Sequence, residues 1–201
     1  MRTITSWLVL INVAVFAAQM YAADALLADF ALWPAGSHPI PELGLVVGFQ
    51  PWQLVTSAFL HASFMHIFLN MLALIMFGRD VERSLGAARY FVLYFAAVVS
   101  AALVQLLVVS SMSNSAVYPT VGASGGVFGV LLAFGTLFPR RIVMLLMPPI
   151  PLPARWFVVL YGAIELANGV LGTKSGVAHF AHLGGMLGAW ICLRRFRRGQ
   201  R

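Results

Sequence analysis

Six apolar stretches, separated by short polar or proline-rich connectors, set the pattern of this chain, at roughly 5–23, 54–77, 88–110, 123–138, 155–171 and 176–193. A helix needs about 20 apolar residues to cross a hydrocarbon core of about 30 Å. In that solvent only helices and closed barrels satisfy their own backbone, and unbroken apolar runs select the helix. The pattern therefore predicts an all-α polytopic membrane protein, a six-transmembrane-helix bundle filling residues 1–201 as a single domain. Residues 2–25 also read as a cleaved signal peptide, from Arg2 through an apolar run to Ala23-Asp24-Ala25. The run continues through Tyr21 and Ala22, which favours a retained first helix.

Composition agrees: 61% of residues are hydrophobic, 9% are charged, and the mean hydropathy is +0.89. These values exclude an ordinary soluble domain. A net charge of +7 suggests nucleic acid in a soluble chain, but here the positions of the charges exclude that partner. With six spans and both termini on the cytoplasmic side, twelve of the thirteen Lys and Arg fall inside: Arg2, Arg79, Arg83, Arg89, Arg140, Arg141, Arg155, Arg194, Arg195, Arg197, Arg198 and Arg201. Lys174 alone falls outside. That bias sets orientation, so the charge is a topology signal. Trp7, Trp33, Trp52, Trp156 and Trp190 all lie near span ends, as interfacial anchors do. The single cysteine, Cys192, excludes an intrachain disulfide and a thiolate metal cluster and reads as a small packing residue.

The connectors differ in kind. Residues 24–53 form a long outer segment with Pro34, Pro39, Pro41 and Pro51, apolar enough at Leu43, Leu45, Val46, Val47 and Phe49 to lie on the outer leaflet. Pro148, Pro149, Pro151 and Pro153 end any helix and make a stiff inner connector. The outer loop from Ser110 to Thr120 is polar and uncharged.

Against this background, polar residues inside the spans stand out, because such groups are costly at membrane depth and mark function. Ser124 follows Gly122 and Ala123 at the head of the fourth span, His182 lies in the sixth, and His66 and Asn70 lie in the second. Counting at about 1.5 Å per residue from the inner arginines puts Ser124 roughly 24 Å, His66 roughly 20 Å, His182 roughly 18 Å and Asn70 roughly 14 Å above the inner edge. Three helices thus place polar groups in one layer nearer the outer surface. Gly122 with Gly126, and Gly125 with Gly129, form small-xxx-small pairs that admit a neighbouring backbone. His182 shares a face with Ala178, Gly185 and Ala189, whereas His179 leads a bulky face of Leu183, Met186 and Trp190. The periodicity selects His182 as the partner of Ser124 and leaves His179 to lipid or loose packing. His66 and Asn70 are one turn apart and point the same way, with His61 rotated away toward the outer interface.

Each residue has a plainer reading: a serine bonded to its own helix, an interhelical His–Asn contact, glycines that only pack. Those readings do not explain a shared depth on glycine-lined faces. A nucleophile, a base and two hydrogen-bond donors are the parts of an acyl-transfer site. The run Gly122-Ala123-Ser124-Gly125-Gly126 also fits the nucleophile elbow of α/β hydrolases, but that motif follows a strand and this one precedes a membrane helix. Glu165 is the one carboxylate within the six apolar stretches; it is able to orient a histidine, but it reads more readily as facing a water cavity or a gate beside the fifth span, leaving a Ser–His dyad.

The ordered set His61-x4-His66-x3-Asn70, Gly122-x-Ser124-Gly125 and Ala181-His182-x-x-Gly185 resembles the rhomboid family of intramembrane serine proteases. Pro51-Trp52 and the stretch from Gly78 through Glu82-Arg83 to Gly86 belong to the same likeness, which covers about residues 50–195. The first outer loop lacks the Trp-Arg pair of many members, and His179 is an extra histidine. The resemblance implies the minimal six-helix bacterial form, in a bacterial inner membrane, with cytoplasmic termini and a site opening outward. It implies Ser124 as nucleophile, His182 as base and His66 with Asn70 as oxyanion donors, with Gly122, Gly125 and Gly185 supporting them. It implies no metal and no cofactor. The partners would be the bilayer and transmembrane protein substrates with helix-weakening residues near the outer face. The alternatives are a non-catalytic rhomboid-like protein that binds transmembrane helices, and a small transporter using the polar layer.

Overall fold

The computed structural model describes residues 3–41, 44–111, 118–144, 149–171 and 178–198. Lys174, Arg2, Arg201, Pro148 and most of the loop between Ser110 and Thr120 lie outside these residues. Six long helical segments carry the fold: α1 (Ile4–Phe30), α3 (Phe64–Ala73) continued through a π turn into α4 (Arg79–Leu85), α5 (Ala87–Ser111), α6 (Ser124–Leu137), α7 (Ala154–Leu171) and α8 (His179–Arg198). Four of them are long and apolar enough to cross a membrane, namely α1, the α3–α4 unit, α5 and α7. α6 is shorter at 14 residues, and α8 carries a basic last turn with Arg195, Arg197 and Arg198.

α1 runs past the expected end of its span to Phe30, with a break at Ala22 (φ −139°, ψ 46°). At its start Thr3 caps Ser6 N–H at 3.1 Å. Glu82 also reaches across from α4 to accept Ile4 N–H at 2.7 Å and Thr5 N–H at 3.0 Å. A carboxylate is well placed at this positive helix end.

The outer segment is more ordered than its prolines suggest. β1 (His38–Ile40) and β2 (Leu45–Val47) form an antiparallel hairpin in register His38 to Val47, followed by the short α2 (Gln53–Thr56). Trp33 is buried with its indole N–H on Leu27 O at 2.9 Å. It is therefore packed inside, unlike the exposed Trp7, Trp52, Trp156 and Trp190. The second long helix starts at Phe64, ten residues later than expected, because α2 and a 3-10 turn (Ser57–Phe59) take up the first part. Within the inner connector, β3 (Ile142–Met144) pairs antiparallel with β4 (Pro151–Pro153).

The core is built around α5, where Tyr90, Leu93, Tyr94 and Ala97 are fully buried, and around Val130 and Ala133 of α6. α5 packs most extensively on α8, and α6 on both. These approaches depend on small residues. A β-carbon at Gly188 would lie 2.6 Å from Ala96 O, and one at Gly126 would lie 2.6 Å from the Tyr94 ring. Without a hydrophobic drive between helices in lipid, such close contact supplies the packing energy. Cys192 is buried in this core, as a packing residue would be.

Candidate active site

The outer segment and the loop ahead of α6 are stitched together, and that fixes where α6 begins. Leu32 and Thr120 exchange backbone hydrogen bonds at 3.0 and 2.9 Å, and Gly122 N–H donates to Ser57 O at 2.9 Å. Gly122 then turns with φ +129°, a conformation that L side chains rarely adopt. The turn delivers Ser124 to the first position of α6, where the leading N–H groups of a helix have no intrahelical acceptor.

α8 brings the base. His182 Nε2 lies 2.8 Å from Ser124 Oγ, and His182 Nδ1 lies 2.8 Å from Glu165 Oε2. An ionised carboxylate only accepts, so this pair assigns the ring proton to Nδ1 and leaves the Nε2 lone pair facing the serine hydroxyl. Phe128, one turn beyond Ser124, stacks flat on the imidazole with ring centroids 4.3 Å apart and planes 5° apart. The close approach is set by Gly125 and Gly185. A β-carbon at Gly185 would overlap the Gly125 carbonyl, and one at Gly125 would overlap Ala101 Cβ on α5.

His66 and Asn70 arrive on α3. Ser63 caps that helix by accepting His66 N–H at 3.1 Å, and Asn70 Nδ2 donates to His66 O at 2.9 Å. The His66 ring lies directly over Gly122: a β-carbon there would sit 2.8 Å from His66 Nε2 and 3.6 Å from Ser124 Oγ. Ala62 N–H reaches His66 Nδ1 at 3.4 Å, which favours the tautomer carrying its proton on Nε2, the atom that lies over Gly122. Ser124, His182, His66, Asn70, Gly122 and Gly125 all line one cavity of about 560 Å³, mostly apolar, which also reaches Met76, Phe157 and Tyr161. The residues expected from three helices thus share one space.

Glu165 lines the cavity and also bonds His182 Nδ1, so it meets a histidine as well as the cavity, because its side chain bridges from α7 to α8. Two expectations need correction. His179 does not face lipid: it is buried at 5% exposure, with Nδ1 2.7 Å from the same Glu165 oxygen. Three residues advance a helix by about 300°, so His179 and His182 point only about 60° apart, and the bulky-face pattern conceals this. His61 is also buried, at 3% exposure, and its ring packs edge-on against His66 with centroids 5.0 Å apart. Phe128 is not singled out by the sequence, although its i+4 spacing from Ser124 places it on the same face.

A rhomboid domain family model matches residues 48–198. The chain is similar to the mitochondrial Rhomboid protein 1 of Saccharomyces cerevisiae, 36% identical over 134 residues, covering 67% of this chain and 38% of that protein. It is similar to the mitochondrial RHOMBOID-like protein 6 of Arabidopsis thaliana, 28% identical over 216 residues, covering 91% of this chain and 66% of the relative. It is also similar to Rhomboid protease GluP of Bacillus subtilis, 27% identical over 152 residues, covering 75% of this chain and 27% of that protein. The chain therefore spans less than two thirds of these relatives. Two of the three are named mitochondrial, which weighs against the bacterial inner membrane expected from the sequence and supports membrane residence alone.

Proposed function

Because the chain belongs to the rhomboid family, we propose that it is an intramembrane serine endopeptidase, formed by one membrane domain, that cuts other membrane proteins in or near their transmembrane segments. The observation that carries this reading is the 2.8 Å contact between Ser124 Oγ and His182 Nε2 inside a cavity at the head of a helix. In the proposed reaction Ser124 Oγ attacks the substrate carbonyl carbon while its proton passes to His182 Nε2. The carbonyl oxygen becomes an oxyanion, held by the Ser124 N–H at the positive end of α6, by the Asn70 amide and by His66 Nε2–H. Collapse breaks the peptide C–N bond, and His182 returns the proton to the leaving amine. Water then enters from the cavity and its oxygen bonds the acyl carbon while its proton passes to His182; the Ser124 Oγ–acyl bond breaks as His182 returns that proton to Oγ. Glu165 positions His182 by holding its Nδ1 proton, so the reading is a Ser–His pair oriented by a carboxylate.

A bound transmembrane helix must unwind before its carbonyl can meet Ser124, so substrates would carry helix-weakening residues at that depth. The arginine-rich ends of α4 and α8 would face the side that retains positive charge, with the cavity opening toward the other.

The test is labelling by a fluorophosphonate probe, followed by cleavage of a transmembrane substrate in proteoliposomes. Labelling of the wild type, lost in Ser124→Ala and His182→Ala, is the expected result. A folded protein that takes no label beside an active rhomboid labelled in parallel would overturn the protease reading in favour of a non-catalytic helix-binding role.

A further inference from the structure

We propose that Glu165, His179 and His182 form a site for a zinc-class divalent cation, and that filling it switches off Ser124. The switch half rests on the protease reading above; the metal half does not.

The donor set suits such an ion. Glu165 Oε2 lies 2.7 Å from His179 Nδ1 and 2.8 Å from His182 Nδ1, and the three donor atoms all fall within 4.8 Å of one another. Two imidazole nitrogens and a carboxylate are a ligand set that zinc takes with a fourth position open to water. Zinc holds N and O ligands at about 2.0–2.2 Å, so tetrahedral donors stand about 3.3 Å apart. The carboxylate–imidazole gaps widen by about half an ångström to admit the ion, and the two imidazole nitrogens, already within 4.8 Å of each other, take the same spacing.

Access and support suit it as well. Glu165 and His182 line the large cavity, which supplies both an entry path and the water for the fourth position. His179 sits behind them at 5% exposure, so the third ligand is held within the protein and does not swing in from its surface. The proposed proteolysis makes no use of His179, which is a second imidazole on the oxygen that already orients His182.

The consequence for Ser124 follows from imidazole chemistry. A neutral imidazole carries one ring proton. When Nδ1 of His182 ligates a cation, that proton moves to Nε2, 2.8 Å from Ser124 Oγ. Nε2 then donates to the hydroxyl where before it accepted from it, and the serine proton has no base to receive it. No bond to Ser124 forms or breaks, so removing the metal restores the pair.

The experiment uses the full chain purified in detergent and stripped with a chelator. Zinc binding is measured by equilibrium dialysis, and fluorophosphonate labelling is followed as zinc is titrated. The expected result is one zinc per chain, with labelling falling in proportion to occupancy and returning on chelation. His179→Asn keeps a donor toward Glu165 but removes the ligand. It is expected to weaken zinc binding at least about tenfold and to make labelling equally less sensitive to zinc. Ser124→Ala keeps all three ligands and is expected to bind zinc like the wild type, with zinc raising its thermal midpoint. Absence of binding to the wild type, or binding that survives both His179→Asn and Glu165→Gln, overturns the site. Zinc bound at these residues with labelling unchanged overturns the switch. Metal-free protein that binds zinc but never labels removes the switch together with the protease reading, and leaves the metal site standing.

Discussion

Gly185 on α8 lies against the carbonyl of Gly125 on α6, so closely that a β-carbon at position 185 would overlap it. This contact sits within one turn of both Ser124 and His182, and it sets their 2.8 Å separation.

Gly185→Ala is therefore expected to spread α6 from α8. Overpacking of a close contact costs about 1–3 kcal/mol, visible as a lower thermal midpoint in detergent. Serine labelling should fall further than stability alone explains, because a displacement of about 1 Å at reacting groups costs about 100-fold in rate. Gly162 in α7 is the control, since a β-carbon there meets only Met186, with Cε at 3.5 Å. Gly162→Ala should keep both midpoint and labelling. Equal behaviour of the two variants would show that the Gly125–Gly185 contact does not hold the pair together.

Replacing Glu165 by Gln removes the charge opposite His182 Nδ1 while keeping an oxygen that can accept from it. A hydrogen bond to a charged group contributes about 1.5–3 kcal/mol and a neutral one about 0.5–1.5, so the loss of about 1–1.5 kcal/mol should lower the labelling rate about 5- to 13-fold. The loss should be smaller than that of Ser124→Ala, which removes the nucleophile. An unchanged rate would reduce the arrangement to Ser124 and His182 alone.

Much of this site is legible in the chain before the helices are seen together. Ser124, His182, His66 and Asn70 stand out because polar groups are rare in such spans and because depth follows from a constant rise per residue. Gly125 is legible through its small-xxx-small pair with Gly129, and Gly185 as a small residue on the face that carries His182. That Glu165 could orient a histidine is legible, but which histidines it meets is not, because helix periodicity reports rotation about one axis and says nothing of how far a long side chain reaches toward a neighbouring helix. The strand pairs at His38–Val47 and Ile142–Pro153 are hidden for a different reason. Strands of three residues are too short to carry an alternating pattern, and their pairing depends on where the adjoining helices end.

Glu82 ties the N-terminus of α1 to α4, accepting Ile4 N–H, Thr5 N–H and the Thr5 hydroxyl, the last at 2.7 Å, from a site only 7% exposed. Glu82→Ala takes the acceptor from the buried Thr5 donors and the part-buried Ile4 N–H and should lower stability by about 2–4 kcal/mol. Glu82→Gln retains an acceptor oxygen and should lose less. Thermal unfolding of both variants beside the wild type checks this, and a midpoint unchanged in Glu82→Ala would show that the Glu82 contacts do not hold α1 in place.

Position 122 tests the oxyanion donors from the opposite side. Gly122 adopts φ +129°, and a β-carbon there would come within 2.8 Å of His66 Nε2. Gly122→Ala should therefore displace the His66 ring and strain the turn that presents Ser124. Asn70→Ala removes a donor without touching that turn. If both His66 and Asn70 hold the oxyanion, each change should cost about 2.7–4 kcal/mol of transition-state stabilisation. That corresponds to about 100- to 1,000-fold in kcat on a transmembrane substrate. Because the donors act on charge that develops only as the carbonyl is attacked, KM should move far less than kcat. A change confined to KM in Asn70→Ala would mean that Asn70 contacts the substrate ground state and would remove it from the oxyanion site.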